Sequence, residues 1–347
     1  MKILISNDGP HAHFYIRTGI GRALTYAGHQ VVMWEISKKA AFDAFDEFEP
    51  DMFIGQTYNL NEAVRKCILA RPNMKVIMKG SDWGAISDSI DRVKYPVLIA
   101  NEQEIENVAE LRKNGKPDLL YVHYHPDRLG ETHNHWDDIV QTVSLMNAAD
   151  IFLFTNGKVK DQYKSHVGFM GGRWGYKAQT IDKYLLPLMN PKSRLNIKIF
   201  GNSDWGVPQY CGFLPDNEAA HFLRSCDICP NLSEPHSHKY GYDVVERPFK
   251  LLANKCFVIS DYVEDLEKLF PKSIIHCKTP AEFHEKIGYY LDKPKERAIL
   301  SQLGYEEVIG GHTYFHRMAS IFGELGMGDE QENMLKSLDK CIKELKL

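Results

Sequence analysis

The sequence predicts an α/β protein made of two Rossmann-like domains, and three observations support this prediction. The chain has 347 residues, which is more than one hydrophobic core usually organises. Short apolar runs alternate with helical stretches, an order typical of parallel sheets covered by helices. Most of these runs are apolar throughout rather than alternating with polar residues, as expected for parallel strands that are buried on both faces.

The N-terminal half repeats a strand, a turn and a helical stretch. The predicted strands are Ile3–Ser6, Gln30–Trp34, Asp51–Gly55, Lys75–Lys79, Pro96–Ala100, Leu119–His123 and Ile151–Phe154. The predicted helices are Phe14–Ala27, Leu60–Leu69, Glu102–Asn114 and Asp137–Ala148. The polar stretch Thr155–His166 shows no apolar periodicity and is interpreted as the join between domains. We therefore expect residues 1–160 to form an N-terminal Rossmann-like domain.

The same pattern restarts after the join. The predicted strands are Asn196–Gly201, Asp227–Asn231, Cys256–Ser260 and Ser273–Cys277, and the predicted helices are Lys177–Met189, Asn217–Arg224, Val244–Ala253 and Pro280–Leu291. Residues 161–312 are expected to form the second domain, and residues 313–347 to form helices that pack back on the first. Because open α/β sheets bind ligands at the carboxyl ends of their strands, we expect a ligand cleft between the two domains.

Composition limits the class of protein further. The net charge of -4 and a pI near 6.4 argue against a uniformly basic surface, but they leave room for a local basic groove. No apolar run approaches the ~18 residues that span a bilayer, and the N-terminal run is too short for a signal peptide. The seven cysteines are scattered, and we interpret Cys226 and Cys229 as packing residues of a buried strand. A reduced, cytoplasmic protein is the expectation.

The end of the first predicted strand carries an acid and two imidazoles. Asp8 lies in a turn, and His11 and His13 follow before the helix begins. Asp8 could orient His11 or His13 as a general base that takes a proton from a hydroxyl. Alternatively, Asp8 forms an Asx-turn and both histidines are solvated loop residues. Asp82 also follows a predicted strand and is a rival general base.

A second group of histidines follows the strand that begins at Leu119. It comprises His123, His125, His133 and His135, which form two H-x-H pairs. Neutral imidazoles bind zinc, but a polar loop that lines the ligand cleft explains the same residues. We predict no metal site.

The segment "GGRWGYK" has the composition of a diphosphate site. Gly171 and Gly172 follow a predicted strand, and Arg173 and Lys177 stand at the start of the next helix. Two cations beside free helix N–H groups can bind a diphosphate. The segment lacks the G-K-[ST] of a P-loop, so a nucleotide triphosphatase is disfavoured. The alternative is that both cations are ordinary surface charges.

A third segment, Asn231–Phe270, places Arg247 near a helix N-terminus that is expected to face the same cleft. Asp243 and Glu246 fit a capping box, whereas Pro248 favours a helix that starts near Arg247. The alternative is a surface arginine paired with Glu246.

These segments resemble glycosyltransferases of the GT-B fold. "GGRWGYK", "IKIFGN" and "ERPFKLLANKCFVISD" resemble the nucleotide-sugar half of the group-1 enzymes. The spacing of the same segments is also similar to that in phage β-glucosyltransferases, which modify hydroxymethylated DNA bases. The resemblance covers most of the C-terminal half, but only the first strand–helix unit and the general layout of the N-terminal half.

The resemblance implies a set of residues around the nucleotide sugar: Gly171, Gly172, Arg173, Lys177, Asn202, Glu234, His236, Asp243, Glu246, Arg247 and Lys250. Gly172, Arg173 and Lys177 would hold the diphosphate, and Glu234, His236 and Asp243 would lie near the transferred sugar. One departure concerns Lys250, because the family has a ribose-binding glutamate there and lysine has no acceptor atom. Glu246 could reach the ribose instead.

The resulting expectation is a hexosyl- or pentosyltransferase that uses a nucleotide-diphosphate sugar and no other cofactor. The acceptor could be a glycan, a small molecule, a lipid or a modified DNA base, and the reaction could invert or retain the anomeric configuration. The alternative is a non-catalytic nucleotide-sugar-binding or regulatory protein on the same fold. The missing G-x-G-x-x-G disfavours a Rossmann oxidoreductase.

Overall fold

The computed structural model describes residues 1–7, 12–80, 102–133, 136 and 138–347. The chain divides into two compact units, which are treated separately below. Unit 1 comprises Met1–Asn147 together with Tyr314–Leu347, and unit 2 comprises Ala148–Thr313. Each unit contains one parallel sheet with helices around it, so the prediction of two Rossmann-like domains is confirmed.

The described part of unit 1 forms a six-stranded parallel sheet in the order β2-β1-β3-β4-β5-β6. The strands are β1 Lys2–Asn7, β2 Gln30–Glu35, β3 Met52–Gln56, β4 Lys75–Lys79, β5 Leu119–Val122 and β6 Thr142–Ser144. The helices are α1 Ala12–Tyr26, α2 Ala41–Phe48, α3 Glu62–Leu69, α4 Glu102–Arg112 and α5 Leu129–Thr132. The central strands are apolar because they are buried on both faces, as Val76, Ile77 and Met78 illustrate.

Unit 2 forms a five-stranded parallel sheet in the order β11-β10-β9-β7-β8. Its strands are β7 Ser165–Met170, β8 Ile197–Phe200, β9 Cys226–Asn231, β10 Val258–Asp261 and β11 Ile274–Cys277. Its helices are α6 Ile151–Phe154, α7 Gly175–Tyr184, α8 Asp216–Arg224, α9 Pro235–Tyr240, α10 Arg247–Ala253, α11 Glu264–Leu269, α12 Pro280–Leu291 and α13 Pro294–Gly311. Separate apolar clusters pack around Phe222 and Phe249 and around Ile259 and Phe283.

The strand order of each sheet reverses direction beside its first strand. In unit 1 the reversal lies between β1 and β3, and in unit 2 it lies between β7 and β9. At such a reversal the adjacent connections leave the sheet in opposite directions, so the carboxyl ends of the two strands flank a crevice. The residues just after β7 and β9 therefore occupy the position where a sheet of this topology binds a ligand.

The C-terminal residues form α14 Tyr314–Glu324 and α15 Gly328–Leu345, which belong to unit 1. The ring of Phe315 packs edge-on against Tyr26 of α1, with the ring centroids 5.9 Å apart. Arg317 donates hydrogen bonds to the carbonyls of Met146 and Asn147 at 2.9 and 3.1 Å. Burial lowers the pKa of Arg317 to about 10. These contacts hold the last two helices against the rest of unit 1.

Two predicted elements are wrong. Ile151–Phe154 is the short helix α6 rather than a strand, because the Asp150 carboxylate accepts the Phe152 N–H at 3.1 Å and caps the turn. A short apolar run alone does not distinguish these two outcomes. The predicted helix Asp137–Ala148 contains β6, which pairs with β5. The predicted strand Pro96–Ala100 lies outside the described residues. Among the described helices, none is long and apolar enough to cross a membrane.

Candidate functional site

The carboxyl ends of β7 and β9 meet at the reversal of the unit 2 sheet. After β7 the chain continues through Gly171 and Gly172 to α7, and after β9 it continues through Leu232–Glu234 to α9. The indole N–H of Trp205 donates to the Gly171 carbonyl at 3.2 Å and fixes the turn after β7. The sequence-predicted residues Lys177, Glu234 and Arg247 lie around these two strand ends.

Lys177 and Glu234 form a buried ion pair. The Lys177 Nζ atom lies 3.1 Å from the Glu234 Oε1 atom, and the two side chains are 7% and 10% exposed. Burial lowers the pKa of Lys177. The Glu234 carboxylate opposes this shift, whereas the positive charge of Arg247 adds to it. Lys177 is therefore a cation paired with Glu234, and a second cation lies close by.

Arg247 is the first residue of α10 and remains partly exposed. Its guanidinium donates to the Leu232 carbonyl at 3.2 Å and lies 4.7 Å from the centre of the Phe169 ring. A Cβ atom at Gly171 would come within 2.7 Å of the guanidinium, so glycine allows this close approach. Burial lowers the pKa of Arg247, opposed by the carboxylates of Glu234 and Asp261. The two cations thus come from different helices and share the same neighbouring carboxylates.

Asp261, the last residue of β10, anchors the segment that follows β9. Its carboxylate is fully buried. The Oδ2 atom accepts the Ser233 N–H and contacts His238 Nε2, both at 2.7 Å. The Oδ1 atom accepts the hydroxyls of Ser233 at 3.0 Å and Ser260 at 3.2 Å. Three of these four hydrogen bonds, those of Ser233 and His238, fix the chain on either side of Glu234. The sequence did not predict that Asp261 and His238 anchor this segment, although both residues stand in the visible segments "VISD" and "HSH".

A second histidine–aspartate pair lies within the same segment. His236 Nε2 lies 2.7 Å from Asp243 Oδ2, and the imidazole stacks on Tyr176 with an interplanar angle of 8°. Asp243 has φ of 72°, a left-handed conformation that is uncommon outside glycine. The Asp243 side chain therefore pairs with His236. The helix α10 starts at Arg247, as Pro248 indicated, so Asp243 does not occupy its N-cap position.

Lys250, the position of the family's ribose-binding glutamate, carries an ion pair. Its Nζ atom lies 2.8 Å from Glu246 Oε2 and 5.3 Å from the centre of the Phe154 ring. The two side chains are 13% and 6% exposed. Met170, Arg247 and Lys250 line a small depression beside this ion pair. A carboxylate and an ammonium group therefore stand together at this edge of the sheet.

Two other predicted residues have different neighbours. The Arg173 guanidinium forms a bidentate contact with Asp182 on the exposed side of α7, with N–O distances of 2.8 to 3.0 Å. Its proposed contact with a diphosphate stays a prediction. Asn202 follows β8, and its Oδ1 atom would lie 3.3 Å from a Cβ at Gly172.

The predicted general bases belong to unit 1. Asp8, His11 and Asp82 lie outside the described residues. His13 lies on α1, and its ring stacks on His123 with the centroids 6.5 Å apart and an interplanar angle of 20°. His123 Nδ1 lies 2.7 Å from the Leu145 carbonyl, which only accepts, so Nδ1 carries the proton.

The described histidines of the H-x-H pairs have separate partners. His125 accepts the Asp127 N–H at 3.3 Å, and His133 Nδ1 lies 2.7 Å from the Thr132 hydroxyl. Within the described ranges, no cluster of three or more His, Cys, Asp or Glu side chains is arranged to hold a metal ion.

The two Rossmann-like parallel sheets match those of GT-B structures, and the predicted resemblance to GT-B glycosyltransferases is confirmed at the level of the fold. Residues 183–323 match the family described as glycosyl transferase-like. No curated protein matches the chain in sequence.

Three solved structures illustrate the similarity. A mutant of T4 phage BGT in complex with UDP-glucose has 13% identity and a TM-score of 0.60, covering 98% of this chain and 100% of that one. An alpha-glucosyltransferase in complex with UDP and a 13-mer DNA containing an HMU base has 10% identity and a TM-score of 0.65, covering 94% and 99%. Sucrose-phosphate synthase from Thermosynechococcus elongatus has 13% identity and a TM-score of 0.61, covering 94% and 99%.

Proposed function

We propose that this protein is a glycosyltransferase that moves a sugar from a nucleotide-diphosphate sugar to an acceptor hydroxyl. The observation that carries the proposal is the pair of cations, Lys177 and Arg247, at the carboxyl ends of β7 and β9. Both lie at the reversal of a parallel sheet, where open α/β folds bind ligands. A nucleotide-diphosphate sugar supplies the anion that two such cations attract.

The chemistry follows from where charge develops. In the transfer, the bond between the anomeric carbon and a phosphate oxygen breaks, and the diphosphate gains negative charge. Cations that are fixed before the reaction stabilise this charge without reorganisation. Lys177 and Arg247 would act on the leaving diphosphate, and Asp261 would hold the neighbouring segment in place through Ser233 and His238.

The nucleoside would be bound beside α10. Glu246 is the carboxylate nearest to the family's ribose-binding position and could accept hydrogen bonds from ribose hydroxyls. Lys250 holds this carboxylate at 2.8 Å and would fix its orientation. In this arrangement Glu246 supplies the oxygen atoms that bind the ribose, and Lys250 orients it. The two residues together replace the single glutamate of the family.

The acceptor is proposed to be a hydroxyl of a glycan, a small molecule or a hydroxymethylated DNA base. The DNA version draws support from a similar structure described with a 13-mer DNA that contains an HMU base. If the reaction inverts the anomeric centre, a base must take the acceptor proton, and Asp8, His11, His13 and Asp82 stay the predicted candidates. A retaining reaction needs no such base.

The test measures nucleoside diphosphate release from a panel of nucleotide sugars, with and without acceptors. The acceptors are hydroxymethylated DNA, unmodified DNA of the same sequence and simple oligosaccharides. We expect release with one donor and one acceptor class, and a large loss in Lys177→Met. Lys183→Met, an exposed lysine of the same helix, is the matched control. Donor binding without any turnover would favour the non-catalytic alternative. The absence of both donor binding and turnover would refute the proposal.

A further inference from the structure

The segment around β7 and β8 concentrates positive charge in a chain that is acidic as a whole. Residues 158–198 include nine Lys or Arg residues and two Asp residues, a net charge of +7, whereas the whole chain carries -4. Both acids are already paired: Asp161 lies 2.7 Å from Lys164, and Asp182 lies 2.8 Å from Arg173. The excess positive charge therefore lies on the other cations of this segment.

Three of these cations stand where β8 begins, at the edge of the sheet opposite to the candidate site. The helix α7 starts after the carboxyl end of β7 and returns the chain to the amino ends of the strands. A 3₁₀ turn, Pro191–Ser193, follows and contains Lys192, and Arg194 comes directly after it. Lys198 is the second residue of β8. We call Lys192, Arg194 and Lys198 the amino-edge surface.

Hydrogen bonds fix the backbone that carries this surface. Asn190 Oδ1 accepts the Lys192 N–H at 3.0 Å, and the Ser193 hydroxyl donates to the Leu188 carbonyl at 2.8 Å. Arg194 has φ of 54°, a left-handed conformation that is uncommon outside glycine. The turn therefore holds Lys192 and Arg194 at defined positions beside the start of β8.

The amino-edge surface presents charge and little else. Lys192 and Arg194 are exposed, and Lys198 is partly exposed and donates to the Gln162 carbonyl. Within the described residues, none of the three cations has a carboxylate partner. The described range 175–198 also exposes no large hydrophobic side chain. Such a surface lacks the apolar groups that enter membranes, the aromatic anchors of protein interfaces and the rings on which unpaired bases stack.

We propose that the amino-edge surface binds the phosphate backbone of double-stranded DNA. Duplex DNA carries one negative charge per ~1.7 Å of its axis, and cations that contact its phosphates release condensed counter-ions. Contacts to phosphates hold a protein on the duplex without reading its sequence. This surface lies at the opposite edge of the sheet from Lys177 and Arg247, so the inference goes beyond the proposed function and does not depend on it.

The test measures binding of a fluorescently labelled, unmodified DNA duplex to the full chain by anisotropy, at salt concentrations from about 50 to 200 mM. The logarithm of the binding constant should fall with the logarithm of the salt concentration with a slope of about -3, one unit per cation. Arg194→Gly should stay folded, because glycine adopts the left-handed backbone readily, and should reduce the slope by about 1. Lys192→Gln combined with Arg194→Gly should bind at least ~10-fold more weakly at about 100 mM salt. Lys113→Gln, an exposed lysine of unit 1, is the charge-matched control and should match the wild type.

Competing ligands distinguish duplex DNA from other polyanions. Unlabelled duplex should compete better than single-stranded DNA of the same sequence, and better than vesicles of phosphatidylserine and phosphatidylcholine. Equal duplex affinity of the wild type and the double variant, or an equal loss in Lys113→Gln, would overturn the proposal. Stronger competition by the single strand or by the vesicles would overturn it as well. The measurement contains no nucleotide sugar, so none of these results would count against the proposed glycosyltransferase function.

Discussion

The carboxyl edges of the two sheets have the same strand arrangement but use their cations differently. In unit 1, Arg17 donates to the Tyr58 hydroxyl at 2.8 Å, and Lys79 Nζ lies 5.7 Å from the centre of the same ring. These two residues are only 2% and 1% exposed. In unit 2, Arg247 remains partly exposed, and the carboxylate that pairs with Lys177 keeps one oxygen unused.

This difference separates a structural role from a ligand-binding role within one topology. A cation that is paired within the fold, as Arg17 is with the Tyr58 hydroxyl, stabilises the fold. A cation at a strand end, next to buried acceptors without partners, marks a place where a ligand completes the hydrogen bonding. Substitutions in unit 1 should therefore act on unfolding, and substitutions of the unit 2 cations on binding.

The largest effect is expected at Asp261, which belongs to unit 2 but is enclosed like the unit 1 residues. Asp261→Ala removes the partner of four hydrogen bonds and should lower the free energy of unfolding by about 3 kcal/mol or more. Urea unfolding measures this change, with the exposed Asp292→Ala as control. A loss below about 1 kcal/mol would show that the anchor is dispensable.

A crosswise pair of arginine substitutions tests the comparison directly. Arg17→Met should lower the free energy of unfolding by about 1–3 kcal/mol, because Tyr58 loses a buried partner, and should leave the donor affinity of the folded protein unchanged. Arg247→Met should weaken binding of the nucleotide-sugar donor by about tenfold or more, since a charged hydrogen bond to phosphate is lost. Urea unfolding and calorimetry are applied to both variants. The comparison is contradicted if Arg17→Met weakens donor binding without lowering stability, or if Arg247→Met lowers stability without weakening donor binding.

The pH dependence of binding provides a smaller effect. Burial lowers the pKa of Lys177 from its ordinary 10.5, so this ammonium loses its proton at a lower pH than an exposed lysine does. As the pH rises, the affinity for the nucleotide-sugar donor should therefore begin to fall at a lower pH than an ordinary lysine with a pKa of 10.5 would give. In Lys177→Arg the guanidinium stays charged, and the fall should disappear or move to higher pH. Identical pH profiles for the wild type and this variant would exclude Lys177 as the titrating group.

The smallest effect concerns one buried histidine in each unit. Burial lowers the pKa values of His29 in unit 1 and His276 in unit 2 below their ordinary 6.5. The unfolded chain therefore binds more protons than the folded chain in this range, and stability should decrease as the pH falls below 6.5. His29→Gln and His276→Gln should each reduce this acid sensitivity in urea unfolding measured at pH 8 and pH 5.5. An unchanged sensitivity in both variants would assign it to other groups.

The sequence predicted most strands of the two sheets and part of the site. Apolar runs located four of the five strands of unit 2, because parallel strands must be buried on both faces. For β7 the sequence indicated only that a strand ends before Gly171. Lys177 and Arg247 were found because cations beside glycine turns and helix starts have a recognisable pattern. The short apolar run Ile151–Phe154 was assigned wrongly, since its helix depends on the cap at Asp150.

The remaining features of the site depend on contacts between distant parts of the chain. Asn231 and Asp261 look like ordinary strand ends in the sequence. Their side-chain hydrogen bonds form because β9 and β10 pair and bring the Ser260 hydroxyl close to both residues. Arg173 follows two glycines before a helix, a position typical of a phosphate-binding arginine. Its guanidinium nevertheless pairs with the Asp182 carboxylate of α7, which competes with a phosphate. Sequence patterns therefore identified charges near the site, whereas the hydrogen-bond partners required the structure.

The most direct test of the central claim is calorimetric titration of the nucleotide-sugar donor selected from the panel into the wild type, Lys177→Met and Lys183→Met. If the ends of β7 and β9 bind the donor diphosphate, the wild type and Lys183→Met should bind alike. Lys177→Met should bind at least ~10-fold more weakly, because a buried charged contact to phosphate is lost. Equal binding by all three proteins would contradict the assignment of the diphosphate to this edge of unit 2.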